Sequence, residues 1–169
     1  DDEVDILEAA ILVYLGKVRR GSLTEQESLE FQGLMTATDN IESLADVIET
    51  DIVALARKAA DVKSRPGDET REMLVSLYTT VTQSVEFAVQ AVRDNDQRAA
   101  SSVLMMKDTI RDQSEHLLTR KATRLATEDP DYLNLVRLEM AFVDQMRRIY
   151  TLAKRIAKVA LPPALAERD

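Results

Sequence analysis

The segment LMTATDNIESLADVIETDIVAL at residues 34–55 decides the fold class of this chain. Apolar residues recur along it at steps of three or four: Leu34, Ala37, Ile41, Leu44, Ile48, Ile52 and Leu55. That spacing places them on one face of an α-helix, and no glycine or proline interrupts it. Upstream, Thr24 and Glu27 have the spacing of a capping box, which satisfies orphan N–H groups at a helix start. We therefore predict a helix over residues 24–64, about 60 Å long at 1.5 Å per residue.

Turn-forming residues divide the rest of the chain into four further helical runs. The breaks fall at Gly21, Pro66-Gly67, Asn95-Asp96, Asp129-Pro130 and Pro162-Pro163. The runs are 1–20, 68–94, 96–127 and 130–160, with Asp68 and Asp129 as expected N-caps and Pro130 at a first helical position. Long helices joined by short loops pack antiparallel. Since no linker interrupts residues 1–169, the sequence predicts one all-α domain, an elongated antiparallel bundle of five long helices.

Composition excludes several classes of protein. Asp and Glu number 30 against 22 Lys and Arg, so the net charge of −8 argues against a nucleic-acid surface, which needs clustered cations. Four glycines and four prolines are too few for the turns of a β-sandwich or barrel. Zero cysteines exclude disulfides, thiolate metal sites and a cysteine nucleophile. No apolar stretch approaches the ~18 residues of a membrane span.

Carboxylates line one face of the long predicted helix. Glu42 and Asp46 lie four residues apart, and Asp39 and Glu49 extend the stripe at three-residue steps. Hard cations prefer carboxylate and carbonyl oxygens, so such a stripe can hold a divalent or ferric ion when a second helix adds ligands. The alternative is a solvated acidic face. We expect the stripe to point outward, away from the apolar seam through Ile41 and Ile48.

The sequence offers no recognisable catalytic constellation, so we expect no enzyme. His116 is the only histidine, which excludes a di-metal site built on two Glu-x-x-His motifs and leaves serine and threonine without a base. We expect His116 to be a partly exposed helical residue. No glycine-rich phosphate loop occurs, and no small-molecule substrate is indicated. The basic turn at Lys17, Arg19 and Arg20 fits either helix-dipole compensation or contact with an anionic lipid leaflet or with a larger parent protein.

Self-comparison indicates a weak internal repeat. Residues 41–55 align with residues 146–160 at a shift of 105, and apolar residues of the first run align with those of the fourth at a shift of 106. Identity between the copies is low, and two amphipathic helices can often be aligned in this way. The alignment alone therefore leaves the repeat open.

The segment Asp39-Asn40-Ile41-Glu42-Ser43-Leu44-Ala45-Asp46 resembles the signature helix of the PhoU family, in which a three-helix unit with an E-x-x-x-D motif occurs twice. Glu42 and Asp46 match the motif carboxylates. Residues 2–28 and 131–165 are similar to the flanking helices of the PhoU-like cytosolic tails of bacterial Na⁺/phosphate cotransporters.

The resemblance implies tandem three-helix repeats with the first helix missing. Residues 1–64 would then be the remnant of the first repeat and 68–161 the second repeat, in a domain excised from a larger membrane protein. Two positions depart from the family pattern: Ser43 replaces an arginine, and the second copy has Arg147 and Thr151 in place of its carboxylates. A second metal cluster is therefore doubtful, and a basic, metal-free surface takes its place, formed by Arg147, Arg148, Lys154 and Arg155.

The function that the resemblance implies is regulation of phosphate transport or homeostasis from the cytoplasmic face of the cell membrane. The implied partner is the membrane transport domain of the same polypeptide, and a homodimer stays open. A divalent or ferric metal ion at Glu42 and Asp46 is the expected cofactor, although the sequence requires none. Two alternatives remain: a metal-free docking bundle, and a stand-alone regulator of a phosphate importer and a sensor kinase.

Overall fold

The computed structural model of the chain describes residues 2–124 and 130–166, and all regular structure in these ranges is helical. The elements in chain order are α1 Asp2–Val18, α2 Glu25–Asp46, a π-helical segment Val47–Ile52, α3 Val53–Asp61, α4 Asp68–Asp94, α5 Gln97–Met105, α6 Lys107–Arg124, α7 Pro130–Lys158 and α8 Pro163–Ala166. The prediction of an all-α bundle of long helices is confirmed. Each of the five runs corresponds to one continuous or slightly interrupted helix.

Local signals in the sequence set most helix ends. The Thr24 hydroxyl oxygen accepts a hydrogen bond from the Glu27 N–H at 3.2 Å, and the Glu27 carboxylate accepts one from the Thr24 N–H at 2.8 Å. This reciprocal pair confirms the capping box. Asn95 ends α4 in the left-handed conformation with φ 50°. Asp96 then starts α5, where its carboxylate accepts from the Ala99 N–H at 3.1 Å.

Several helix boundaries differ from the sequence prediction or lie outside the described residues. Asp68 is the first residue of α4, and Gly67 occupies the N-cap without a side-chain hydrogen bond. The fourth run breaks at Met106, whose N–H bonds to the Val103 carbonyl at 3.2 Å in a tighter turn that separates α5 from α6. Asp129, the predicted cap of α7, and residues 125–127 of the fourth run lie outside the described residues.

A π-helical segment interrupts the long helix directly after Asp46. Its hydrogen bonds span five residues, as in the bond from the Val53 N–H to the Ile48 carbonyl. One additional residue in a turn rotates every later side chain by roughly 100° relative to a regular α-helix. A single apolar face therefore cannot run straight from α2 into α3.

The predicted apolar seam is wrong at three of its positions. Leu34, Ile41 and Ile48 are 46%, 42% and 46% exposed. Ala37 of the predicted seam is buried, and Leu44 and Ile52 pack against the core, but the helix also buries Thr38 and Val47, which lie beside the seam.

The core lies between α4 and α7, which share the most extensive contact in the bundle, and α5 and α6 close it from the other side. Large side chains at its centre include Leu77, Val143 and Ile156, each no more than 1% exposed. Small residues at the contacts, such as Ala88 and Ala153, let the helices approach closely. Helices α2 and α3 pack on α7, and α1 packs on α2. No helix of the described chain is both long and apolar enough to cross a membrane.

Candidate functional site: an acidic groove

Carboxylates from two helices meet where α1 packs on α2. We call this set the acidic groove; it consists of Asp5 and Glu8 on α1 and Glu42 and Asp46 on α2. Glu42 is half-buried, and partial burial raises the pKa of its carboxyl. The negative charges of Asp46, Glu8 and Asp5 raise this pKa further, while a hydrogen bond from the Ser43 hydroxyl at 3.4 Å opposes the shift. The groove is therefore a place where ionised carboxylates destabilise one another.

The structure places the predicted site residues unequally. Asp39, Asp46 and Glu49 are exposed, which agrees with an outward-facing stripe, whereas Glu42 turns toward α1. Sequence reasoning missed Asp5 and Glu8. Their only signal was the concentration of acids in the first turns of α1, which also fits ordinary helix-dipole compensation. Only the tertiary contact brings them to Glu42.

The chemistry of the groove suits a hard cation, but its described side chains do not form a finished site. Carboxylate oxygens are the ligands that divalent and ferric ions prefer. Within residues 2–124 and 130–166, however, no group of three or more His, Asp or Glu side chains is arranged to hold a metal ion. Metal binding by Glu42 and Asp46 therefore stays a prediction.

Glu42→Gln should stabilise the domain at neutral pH, because the substitution removes the charge that burial and three neighbouring carboxylates disfavour. A pKa raised on folding means that the wild-type carboxyl favours the native state when protonated. The contribution of the Glu42 carboxyl to the free energy of unfolding is thus complete below its unfolded pKa near 4.5. This contribution is lost as pH rises through the higher pKa of the folded state. Chemical denaturation between pH 4 and pH 7 should show a smaller pH-dependent loss in the variant. An identical pH profile for Glu42→Gln and wild type would contradict the assignment.

The solvent face of α7 is basic where the repeat alignment places the second copy of the motif. Arg147 and Arg155 are exposed, and the Arg148 guanidinium donates to the Asp51 carboxylate of the π-helical segment at 3.0 Å. The Thr151 hydroxyl donates to the carbonyl of Arg147 at 2.9 Å. These positions carry no carboxylate, so the α7 surface differs in charge from the acidic groove on α2.

His116 is exposed on α6, which confirms the expectation of an exposed helical histidine. It borders a shallow, open depression with Glu69, Glu72 and Arg120. Arg120 donates to the Glu69 carboxylate, so one of the two acids there is already paired with a cation. The hydroxyl of Ser76, which lines the same depression, accepts a hydrogen bond from the Gln113 amide at 3.0 Å.

Comparison with known proteins relates the chain to proteins named for phosphate export. It is 21% identical over 156 residues to the "Putative inorganic phosphate export protein YjbB" of Salmonella typhimurium, an alignment that covers 92% of this chain and 29% of the relative. The protein of the same name from Escherichia coli K12 is 20% identical over the same shares. The chain thus spans less than a third of the curated relatives it matches. No protein-family model matches, and no solved structure has significant similarity, so the PhoU-like assignment stays a prediction.

Proposed function

We propose that this chain is a regulatory domain of a phosphate-transporting membrane protein, in which it modulates phosphate flux and performs no chemistry. One observation carries the proposal: the alignment to relatives named for phosphate export extends over 92% of this chain. Because the alignment occupies only 29% of those relatives, the transport step belongs to the rest of such a polypeptide. The role left for a helical bundle of this kind is control of that step.

The finer form of the proposal follows the PhoU-like resemblance. In it, the chain is a tail on the cytoplasmic face of the membrane, of the type found in Na⁺/phosphate cotransporters, and the membrane domain of the same polypeptide is its partner. The E-x-x-x-D positions Glu42 and Asp46 support it, since they lie beside the contact of α1 with α2. A change in charge at this contact can shift α1 relative to α2, because both helices contribute carboxylates to the groove.

Phosphate flux in cells that express the complete polypeptide tests the proposal. We expect removal of residues 1–169 to change radiolabelled phosphate flux by about 5-fold or more, the range of a typical coupling free energy between sites. The amount of protein in the membrane fraction should stay equal. The control is a polypeptide in which an unrelated helical bundle replaces the domain. It separates loss of this particular domain from loss of a folded domain of similar size. Unchanged flux at equal abundance would reject a regulatory role, and loss of flux equal to that of an empty vector would indicate a part of the transport machinery itself.

We further propose that a divalent or ferric cation binds the acidic groove. The observation in favour is the position of Glu42 near Asp46, Glu8 and Asp5, whose negative charges add to the effect of partial burial in raising the pKa of its carboxyl. A bound cation would offset that charge. The residues that would hold it are Glu42 and Asp46, with Glu8 from α1 as the additional ligand.

Elemental analysis of untagged protein tests the cation. We expect metal in the wild type and its loss in Glu42→Ala/Asp46→Ala. The matched control is Asp108→Ala/Asp112→Ala, which removes two carboxylates at the same four-residue spacing that already pair with Arg111 at 2.7 and 3.0 Å. Metal-free wild-type protein would exclude the cation and leave a metal-free docking bundle. Equal loss in both variants would exclude the acidic groove as the binding site. Neither result affects the flux prediction.

A further inference from the structure

Helix α1 is the least covered element of the bundle. Within the described chain it makes extensive contact with α2 alone, and it buries a single residue, Leu15. It nevertheless exposes large apolar side chains over much of its surface: Ile6 68%, Leu7 62%, Ile11 42%, Val13 61%, Tyr14 65% and Val18 37%. Leu7, Ile11, Tyr14 and Val18 share one face of the helix, and an exposed apolar face of this kind marks an interaction site.

The exposed apolar side chains of α1 include a heptad seam. Val4, Leu7, Ile11, Tyr14 and Val18 follow one another at steps of three, four, three and four residues. These are the a and d positions of a two-stranded coiled coil, with Val4, Ile11 and Val18 at a and Leu7 and Tyr14 at d. Leu15 and Glu8 fall at the e positions on the side that faces α2. The seam is therefore separate from the surface that α2 already covers.

The charged residues of α1 can form opposite-charge pairs with a second copy of the same helix in one orientation only. Its acids occupy the first half and its lysine the last turn. Glu3 and Lys17 both fall at g positions and are exposed. In an antiparallel pair, g positions of the two helices face each other, so Glu3 of each copy meets Lys17 of the other. In a parallel pair, g faces e, and Glu3 would meet Glu8 of the other copy. Opposite charges thus favour the antiparallel pair, and like charges oppose the parallel one.

We propose that α1 is a dimerisation helix that pairs antiparallel with α1 of a second copy of this chain. The two copies share a two-fold axis, as closed homodimers do. In the register that pairs Glu3 with Lys17, a positions pack against d positions, so Leu7 of each copy packs against Ile11 of the second copy and the axis passes between these two levels. Glu3 and Lys17 close both ends of the contact with ion pairs.

Cross-linking beside the two-fold axis tests the antiparallel pairing of the two α1 helices. The chain has no native cysteine, so a single introduced cysteine reports on this contact. We expect a short bis-maleimide to join the cysteine of the Ile11→Cys variant to the same cysteine of the second copy, giving a covalent dimer in high yield. Val75→Cys on α4, at a residue that is 57% exposed but lies on another helix, is the matched control and should give none. Equal cross-linking of both variants would indicate random collision. Protection of Ile11→Cys from a monofunctional maleimide in the complete polypeptide, without formation of a covalent dimer, would show that the seam is covered within one chain. Either result overturns the proposal.

Charge reversal tests the orientation by analytical ultracentrifugation. Glu3→Lys and Lys17→Glu should each raise the dimer dissociation constant about three- to tenfold, because each converts two attractive pairs into repulsive ones. The double variant restores the pairing with its signs exchanged and should return close to the wild-type value. Ile11→Asp should leave a monomer with unchanged helix content, whereas Val75→Asp should remain dimeric. A monomeric wild type, or additive losses in the double variant, would overturn the proposal.

Discussion

Leu77→Ala should destabilise the domain by about 3–4 kcal/mol, the largest single effect that we expect from a substitution here. Leu77 is 0% exposed in the middle of α4, where it belongs to the core against α7. Truncation removes buried methyl groups and leaves a cavity that rigid neighbouring helices cannot fill by collapse. Alanine also has a high helix propensity, so the loss cannot come from the backbone. Urea denaturation would measure this loss in the free energy of unfolding. Thermal denaturation should show a fall in Tm of about 10 °C for a chain of this size.

The control for this prediction lies two residues away on the same helix. Val75 is 57% exposed, and Val75→Ala should change stability by less than about 0.5 kcal/mol. Both variants shorten an aliphatic side chain of α4, so the difference between them measures burial alone. Equal effects would mean that α4 does not bury Leu77 against α7, and the assignment of the core would then be wrong.

Helix boundaries were predictable because their causes are local. Thr24 with Glu27 and Asn95 with Asp96 set helix ends through hydrogen bonds to backbone groups within four residues. These hydrogen bonds depend only on residue types and spacings that can be read directly from the sequence. The break at Met106 has no such signature, because neither glycine nor proline occurs there. It follows from how α5 and α6 pack on α4 and α7, which a local pattern does not contain.

The face of each helix was harder to predict than its extent. A period of three or four residues identifies Leu34, Ile41 and Ile48 as one stripe, but the period does not say which neighbour covers it. The structure leaves these three positions exposed, although it buries Ala37 of the same seam, and it also buries Val47, which lies beside the seam. The π-helical segment adds a second limit, since an extra residue in one turn shifts the phase of everything after it.

The residues of the acidic groove also fall into two groups, those that the sequence could identify and those that only the packing of the helices brings to the site. Glu42 and Asp46 could be identified from spacing within one helix, and the structure keeps them on one side of α2. Asp5 and Glu8 could not, because they approach Glu42 only through the packing of α1 on α2. The π-helical segment that begins at Val47 comes directly after this site and supplies Asp51 to Arg148 on α7. The ion pair between Arg148 and Asp51 thus joins the segment after the acidic groove to α7, in addition to the packing of α2 and α3 on that helix.

Tyr150 is the second residue for which we expect a large effect, and the break at Met106 explains why. Where α5 ends, its last carbonyl groups have lost their regular helical donors. The Val103 carbonyl, buried with its residue at 0% exposure, accepts the Met106 N–H at 3.2 Å and the Tyr150 hydroxyl at 3.0 Å. The Tyr150 hydroxyl therefore caps α5 from α7. An ionised phenolate could not donate this hydrogen bond and would be buried without compensation.

Alkaline unfolding should show this dependence. Burial, with a smaller contribution from the charge of Asp108, raises the pKa of Tyr150 to about 12 from an ordinary value of 10.0. A folded pKa above the unfolded one means that the contribution of Tyr150 to stability is complete below pH 10 and is lost as pH rises from about 10 to about 12. Two pKa units correspond to about 2.7 kcal/mol.

Tyr150→Phe separates this effect from the titration of other groups at high pH. The variant should lose about 1–2 kcal/mol at neutral pH, because the Val103 carbonyl loses a buried donor. Between pH 10 and pH 12 it should then lose less stability than the wild type, since no phenol ionises at this position. Tyr78→Phe, at a residue of α4 that is 53% exposed, should follow the wild-type profile. Parallel profiles for wild type and Tyr150→Phe would place the alkaline transition elsewhere and remove the hydroxyl of Tyr150 as the cap of α5.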